Sequence, residues 1–154
     1  MIEIQKIINI AIQAGTSIIE VYKSDDFNVE IKSDKSPLTR ADLASHNLIK
    51  EKLNSLYPSI PILSEEGKNI SYEERKNWDR FWLVDPLDGT KEFIKKNGEF
   101  TVNIALIENN EPILGVIYAP AYNNNINNSA SFPGVLYYGE KEIGSFKKVA
   151  GREA

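Results

Sequence analysis

Two aspartates beside a tight turn are the first feature of this chain with chemical potential. The run Trp82-Leu83-Val84-Asp85-Pro86-Leu87-Asp88-Gly89-Thr90 carries apolar strand formers straight into Asp85 and Asp88, then into a glycine and a threonine. Phe81 to Val84 reads as a strand. Pro86 has no backbone N–H and disfavours helical geometry at the residue before it, which predicts that the strand ends near Asp85. Asp88-Gly89-Thr90 predicts a turn opening a helix through Lys91, Glu92, Phe93 and Ile94. Paired carboxylates suit a hard cation such as magnesium, and the free N–H groups of a helix start suit a phosphate. A bare Asp-Gly-Thr is better described as only a turn with a cap, so the longer string carries the signal.

Composition narrows the alternatives. The chain has 154 residues, with 18 Lys and Arg against 22 Asp and Glu. That length suits one domain with a real core, and a net charge of -4 argues against binding a nucleic-acid backbone. There is no cysteine, so no disulfide, thiolate nucleophile or zinc–cysteine site. One histidine, His46, rules out a histidine-rich metal site. No apolar run approaches the roughly 20 residues that span a bilayer, and the N-terminus has no signal-peptide pattern. A cytoplasmic location is the expectation. Carboxylates, hydroxyls, lysines and hard metals are left to do chemistry.

The elements that must position these groups follow in order. Ile4, Ile7, Ile8, Ala11, Gly15, Ile18 and Tyr22 recur at three-four spacing and predict an amphipathic helix over 2–22, with close packing at Gly15. Phe27, Val29 and Ile31 alternate as a half-buried strand, followed by a polar loop from Ser33 to Pro37 carrying Lys35 and Ser36. Thr39-x-x-Asp42 has the form of a capping box opening a helix to about Leu56. An acid in a first helical turn is favourable without any catalytic role, and Asp42 is open to that reading. His46 reads as a solvated surface histidine.

Ile60, Ile62 and Leu63, broken by Pro61, predict a short strand that lies at an edge or starts late and delivers Ser64-Glu65-Glu66-Gly67. Adjacent acids after a strand are often only a wet loop, but Glu65 one strand away from Asp85 and Asp88 would complete a carboxylate cluster. Ser71-x-x-Glu74 predicts a second capping box and a short helix toward Trp78. Val102 to Ile107 and Ile113 to Ala119 predict an antiparallel hairpin, apolar on both faces, with helices covering at least part of it. Residues 123–131 form an Asn-rich loop. Val135–Tyr138 and Ser145–Val149 predict a last hairpin with turns at Gly139 and Gly144.

Three motifs together, Ser36-Pro37-Leu38-Thr39-Arg40-Ala41-Asp42, Ser64-Glu65-Glu66 and Trp82 to Thr90, resemble in type and order the signature of the inositol monophosphatase family of magnesium-dependent phosphatases. Lys91-Glu92-Phe93-Ile94 and the stretch Asn97 to Ile107 resemble its 3'(2'),5'-bisphosphate nucleotidase branch. The resemblance covers residues 2 to about 121. It implies an α+β fold, a layered sandwich of the sugar-phosphatase type with an antiparallel-rich sheet packed by helices. The chain, a single domain over 1–154, would correspond to the N-terminal part of that fold, with the second half missing.

Carried over by resemblance, Glu65, Asp85 and the Leu87 carbonyl hold a first magnesium, and Asp85 and Asp88 hold a second. Asp42 and Thr90 orient and deprotonate the attacking water, while Glu65, Asp88, Gly89 and Thr90 bind the substrate, with the Gly89 and Thr90 N–H groups holding its phosphate. The implied substrate is adenosine 3',5'-bisphosphate, which loses its 3'-phosphate to give AMP. The family's further aspartate, from a Trp-Asp motif in the second half, has no counterpart, because Trp78-Asp79 precedes the central turn. The missing layer predicts an uncovered apolar sheet face prone to self-association. The alternatives are a catalytically inactive fragment that still binds magnesium, an inositol monophosphate phosphatase, and an interaction module whose acids are only surface charge.

Overall fold

The structure is a computed structural model and describes residues 2–24, 26–33, 37–122 and 134–149. Lys35, Ser36 and the Asn-rich loop lie outside the described residues.

Helix α1 spans Ile4–Ser24, and its buried stripe of Ile7, Ile8, Ala11, Ala14, Ile18 and Tyr22 follows the helical period of the sequence. A Cβ placed on Gly15 would lie 2.4 Å from the Tyr118 ring, so the glycine lets the helix press against a strand. Strands β1 (Glu30–Ile31) and β2 (Pro37–Leu38) form a small antiparallel ribbon. Here the expected half-buried strand is corrected: Val29 and Ile31 are exposed, because a two-residue strand paired only to another such strand has no core to face.

Helix α2 spans Arg40–Leu56 behind a complete capping box, with the Thr39 side chain and the Asp42 side chain each satisfying the other's backbone N–H. Strand β3 (Ile62–Ser64) leads to a one-turn helix, α3 (Tyr72–Arg75). The Ser71 hydroxyl accepts from the Glu74 N–H, which is the forward half of the second predicted box.

The main sheet has six strands in the order β3-β4-β5-β6-β7-β8. They comprise β3, then β4 (Arg80–Asp88), β5 (Thr101–Glu108), β6 (Glu111–Ala119), β7 (Val135–Glu140) and β8 (Gly144–Val149). Edge strand β3 runs parallel to β4, and every later neighbour is antiparallel. The two hairpins form as predicted, although Gly139 sits inside β7, paired with Gly115 and Ser145, rather than at a turn. Helix α4 (Thr90–Ile94) follows β4 at once.

Helices α1 and α2 cover one face of the sheet. Trp82, Val84, Val102, Ile104, Leu106, Val116 and Tyr118 point into that layer and are buried. A cluster of Tyr22, Phe27, Phe93 and Phe100 packs α4 beside α1, with ring centroids 4.9–5.2 Å apart. Among the described residues the opposite face is open. Leu83, Ile117 and Tyr137 lie on it exposed, and a Cβ on Gly115 would meet nothing within 4 Å. Two grooves of about 790 and 620 Å³ share Gly115 and Ile117 on this face. The apolar surface expected on both faces is therefore real, and helices cover one of them.

Candidate functional site

Asp85 and Asp88 do not follow the end of a strand, as the proline had suggested. They bracket a bulge inside one. Asp85 pairs with Asn103 and Asp88 with Thr101, so β4 spends one residue more than β5 between the two pairs. A bulge is a site where the missing N–H of Pro86 costs no ladder bond. Side chains alternate along β4, which puts Val84 under α2 and Asp85 on the open face with Leu83.

Glu65 reaches the same place from β3. Its N–H donates to the Val84 carbonyl at 3.1 Å, which anchors the residue to the parallel strand. The 620 Å³ groove is lined by Glu65, Asp85 and Asn103 among apolar neighbours that include Leu63, Leu83 and Ile117. Burial, then the charges of Glu65 and Asp88 and a hydrogen bond with Glu65, push the Asp85 carboxyl up to about 7, against a Leu87 backbone hydrogen bond that favours its ionised form. Asp85 Oδ1 is buried with no hydrogen-bond partner among the described residues. Asp88 Oδ2 accepts from the Asn103 side-chain amide at 3.3 Å.

A second constellation sits at the start of α2. Asp42 is 1% exposed. Its Oδ2 accepts from the Thr39 N–H at 2.8 Å and from the Thr39 hydroxyl at 2.5 Å. Its Oδ1 accepts from the Thr90 hydroxyl at 3.0 Å, with the Leu87 carbonyl a longer acceptor for the same group at 3.3 Å. Asp42 therefore serves as a cap and also reaches the turn after the bulge, 48 residues away in sequence. Gly89 forms that turn at φ +94°, and a Cβ there would lie 2.8 Å from the Glu99 carbonyl oxygen. Only glycine fits both demands.

The structure brings Glu65 to Asp85 and Thr90 to Asp42, and holds Asp88 near enough for its charge to act on Asp85. It does not close a three-acid metal cage: among the described residues no three Asp, Glu or His side chains are disposed to hold an ion as they stand. The donor set still fits a hard divalent cation. It consists of carboxylate and carbonyl oxygens, and it includes a buried carboxylate oxygen with no partner.

Sequence reasoning missed three groups here. Lys32 pairs with Glu66 at 2.5 Å and with Glu65 at 3.5 Å. Burial lowers its pKa, but the Glu66 hydrogen bond and the two acids outweigh that and raise it. Ser45 donates to the Pro86 carbonyl at 2.7 Å. His46, expected in solvent, is 7% exposed and shares a 2.8 Å hydrogen bond with the Ser64 hydroxyl. Burial and the charge of Lys50 hold its pKa below the usual imidazole value. The signal available for the last two was their three- and four-residue spacing from Asp42.

The family model for the inositol monophosphatase family matches residues 3–149. The chain belongs to that family. Its relatives include the 3'(2'),5'-bisphosphate nucleotidase CysQ of Shigella flexneri, 53% identical over 121 residues, which cover 78% of this chain and 49% of that protein. The CysQ of Buchnera aphidicola is 49% identical over 147 residues, covering 95% of this chain and 54% of the relative. Among solved structures, CysQ from Bacteroides thetaiotaomicron, described as a bacterial member of the family, aligns with TM-score 0.73 at 42% identity over 97% of this chain and 50% of its own. An inositol monophosphatase from Thermotoga maritima aligns with TM-score 0.74 at 28% identity over 92% and 49%. The chain thus spans about half the length of the curated relatives it matches. The mixed α+β fold with a helix-packed sheet agrees with these structures. Among the described residues no helix is long and apolar enough to cross a membrane.

Proposed function

We propose that this chain carries the acid cluster of a magnesium-dependent phosphomonoesterase acting on the 3'-phosphate of adenosine 3',5'-bisphosphate. The substrate class rests on relatives named as 3'(2'),5'-bisphosphate nucleotidases. The observation that carries the reading is Asp85: a half-buried carboxyl with one buried oxygen that has no partner among the described residues, its pKa raised by burial and two neighbouring acids. Such an arrangement is costly unless a cation offsets it.

Glu65, Asp85, the Leu87 carbonyl and Asp88 would hold the metal. Magnesium bound there supplies positive charge that neutralises phosphate oxygens and lowers the pKa of an attacking water. The Thr90 hydroxyl points its proton at Asp42 Oδ1, so its oxygen is free to accept a proton from water. Asp42 is kept ready for this by the two Thr39 donors. Gly89, with no side chain, lets a phosphate approach the backbone N–H groups of Gly89 and Thr90.

Phosphate release from adenosine 3',5'-bisphosphate, run beside magnesium calorimetry, tests the proposal. Asp88→Asn is expected to lower release about a thousandfold, equivalent to about 4 kcal/mol of transition-state stabilisation. Magnesium binding without release selects the alternative of a metal-binding chain without turnover. Preferential release from an inositol monophosphate selects the other phosphatase. Neither binding nor release overturns the proposal.

A further inference from the structure

All the buried polar and charged residues among those described belong to one short region: Thr39, Asp42, Ser45 and His46. They are the cap and the first two turns of α2. Residues 42, 45 and 46 are spaced to share one helical face. Burying polar groups is unfavourable unless each is bonded; Thr39 bonds to Asp42 within the cap, and the other three each reach a different segment. Asp42 holds the Thr90 hydroxyl, Ser45 holds the Pro86 carbonyl and His46 holds the Ser64 hydroxyl. Ser64 and Pro86 are the immediate neighbours of Glu65 and Asp85.

The turn after β3 is seated on the imidazole. The Gly67 N–H donates to the Ser64 carbonyl at 3.0 Å, and a Cβ on Gly67 would lie 3.8 Å from His46 Cε1. The Glu65 N–H is fixed on the other side by the Val84 carbonyl. Glu65 therefore leaves a turn clamped from two directions, one of them α2. Packing alone does not require these groups, since an apolar residue of similar shape avoids the desolvation that a buried serine or histidine incurs.

We propose that Ser45 and His46 are positioning residues, through which α2 works as a jig that sets the separation of the Glu65 and Asp85 carboxyls. The jig would act through the Ser64 hydroxyl and the Pro86 carbonyl, and it touches neither substrate nor metal. The inference rests on the metal-holding role proposed above for Glu65 and Asp85.

Two measurements on the full chain separate the jig from that role. Amide hydrogen exchange at Glu65 and Gly67, without metal, reads the turn alone. Magnesium calorimetry reads the site. His46→Leu is expected to speed exchange at both amides about tenfold, the effect of losing one hydrogen bond of about 1.4 kcal/mol. It is expected to weaken magnesium about tenfold, as loss of a group supporting a ligand does. His46→Asn, whose amide can stand in for Nδ1, restores both. Ser64→Ala removes the same bond from the other side and serves if the leucine variant does not fold. Ser45→Ala gives the same loss of magnesium affinity, with faster exchange confined to the amides of Asp85, Leu87 and Asp88. Unchanged exchange overturns the jig by itself. Faster exchange with magnesium affinity kept within about twofold also overturns it, because the bond is then only structural. A wild-type chain that binds no magnesium removes the site reading and the inference with it.

Discussion

The two faces of the sheet are built from the same kind of residue and end in different states. Along β4, Trp82 is 0% exposed and its neighbour Leu83 is 44% exposed. Along β6, Val116 and Tyr118 are buried while Ile117 between them is 47% exposed. One face meets α1 and α2, and there Asp42, Ser45 and His46 each have a hydrogen-bond partner. The other face holds Asp85 with an oxygen that has none among the described residues. The contrast shows that strand alternation reports which residues share a face and not whether that face is covered. The buried apolar cluster lies under the helices, and the carboxyl with an unpartnered oxygen lies on the open side.

The largest effect that would break this contrast is at Trp82. Trp82→Ala removes the largest fully buried side chain of the helix-covered layer and is expected to cost ~3–5 kcal/mol in denaturant unfolding. Its Nε1 makes no hydrogen bond among the described residues, so Trp82→Phe loses volume only and should cost well under half as much. Equal losses for the two variants would mean that Nε1 is bonded in solution and that Trp82 contributes more than packing to this face.

Much of this was readable beforehand. Helix α1 was legible because its apolar stripe runs unbroken, and the start of α2 because a capping box is a local arrangement of four residues. The acids of the candidate site were singled out by three ordered motifs, and the structure brings Glu65 to Asp85 and Thr90 to Asp42 without closing a three-acid cage among the described residues. What escaped depended on contacts between distant segments. His46 looks like a surface residue until Ser64 arrives from 18 positions away. Pro86 looks like a strand terminator because its missing N–H is a local fact, whereas the bulge that accommodates it is set by pairing with β5. Val29 and Ile31 show the reverse error, since alternation alone cannot say that the partner strand is only two residues long.

A smaller effect concerns the charge on the open side. The folded Asp85 carboxyl sits at about 7, above its ordinary 3.8, so between those values the folded chain keeps a proton that the unfolded chain has lost. By linkage, its contribution makes the metal-free chain less stable as pH rises from about 3.8 to about 7, with no further change on either side. Asp85→Asn should flatten this part of the profile and raise the melting temperature at pH 8 by a few degrees. Magnesium should raise the wild-type melting temperature more at pH 8 than at pH 5, and leave Asp85→Asn unmoved. A wild-type profile that rises with pH through that window would place the uncompensated charge elsewhere.

The smallest effect in stability tests the openness of the face itself. Leu83 and Ile117 already meet solvent, so Leu83→Ser and Ile117→Ser should each change unfolding free energy by no more than about 0.5 kcal/mol. A contiguous apolar patch in the folded state should nevertheless bind a hydrophobic fluorescent dye, and the same substitutions should weaken that signal. The two readouts separate the faces, because the dye reports accessible apolar surface while the unfolding free energy reports buried surface. A dye signal that appears only on dilution means that second copies cover the face at higher concentration, as the apolar patterning predicts. A loss of several kcal/mol at Leu83 means that some part of this chain lies over it, and the asymmetry between the two faces then disappears.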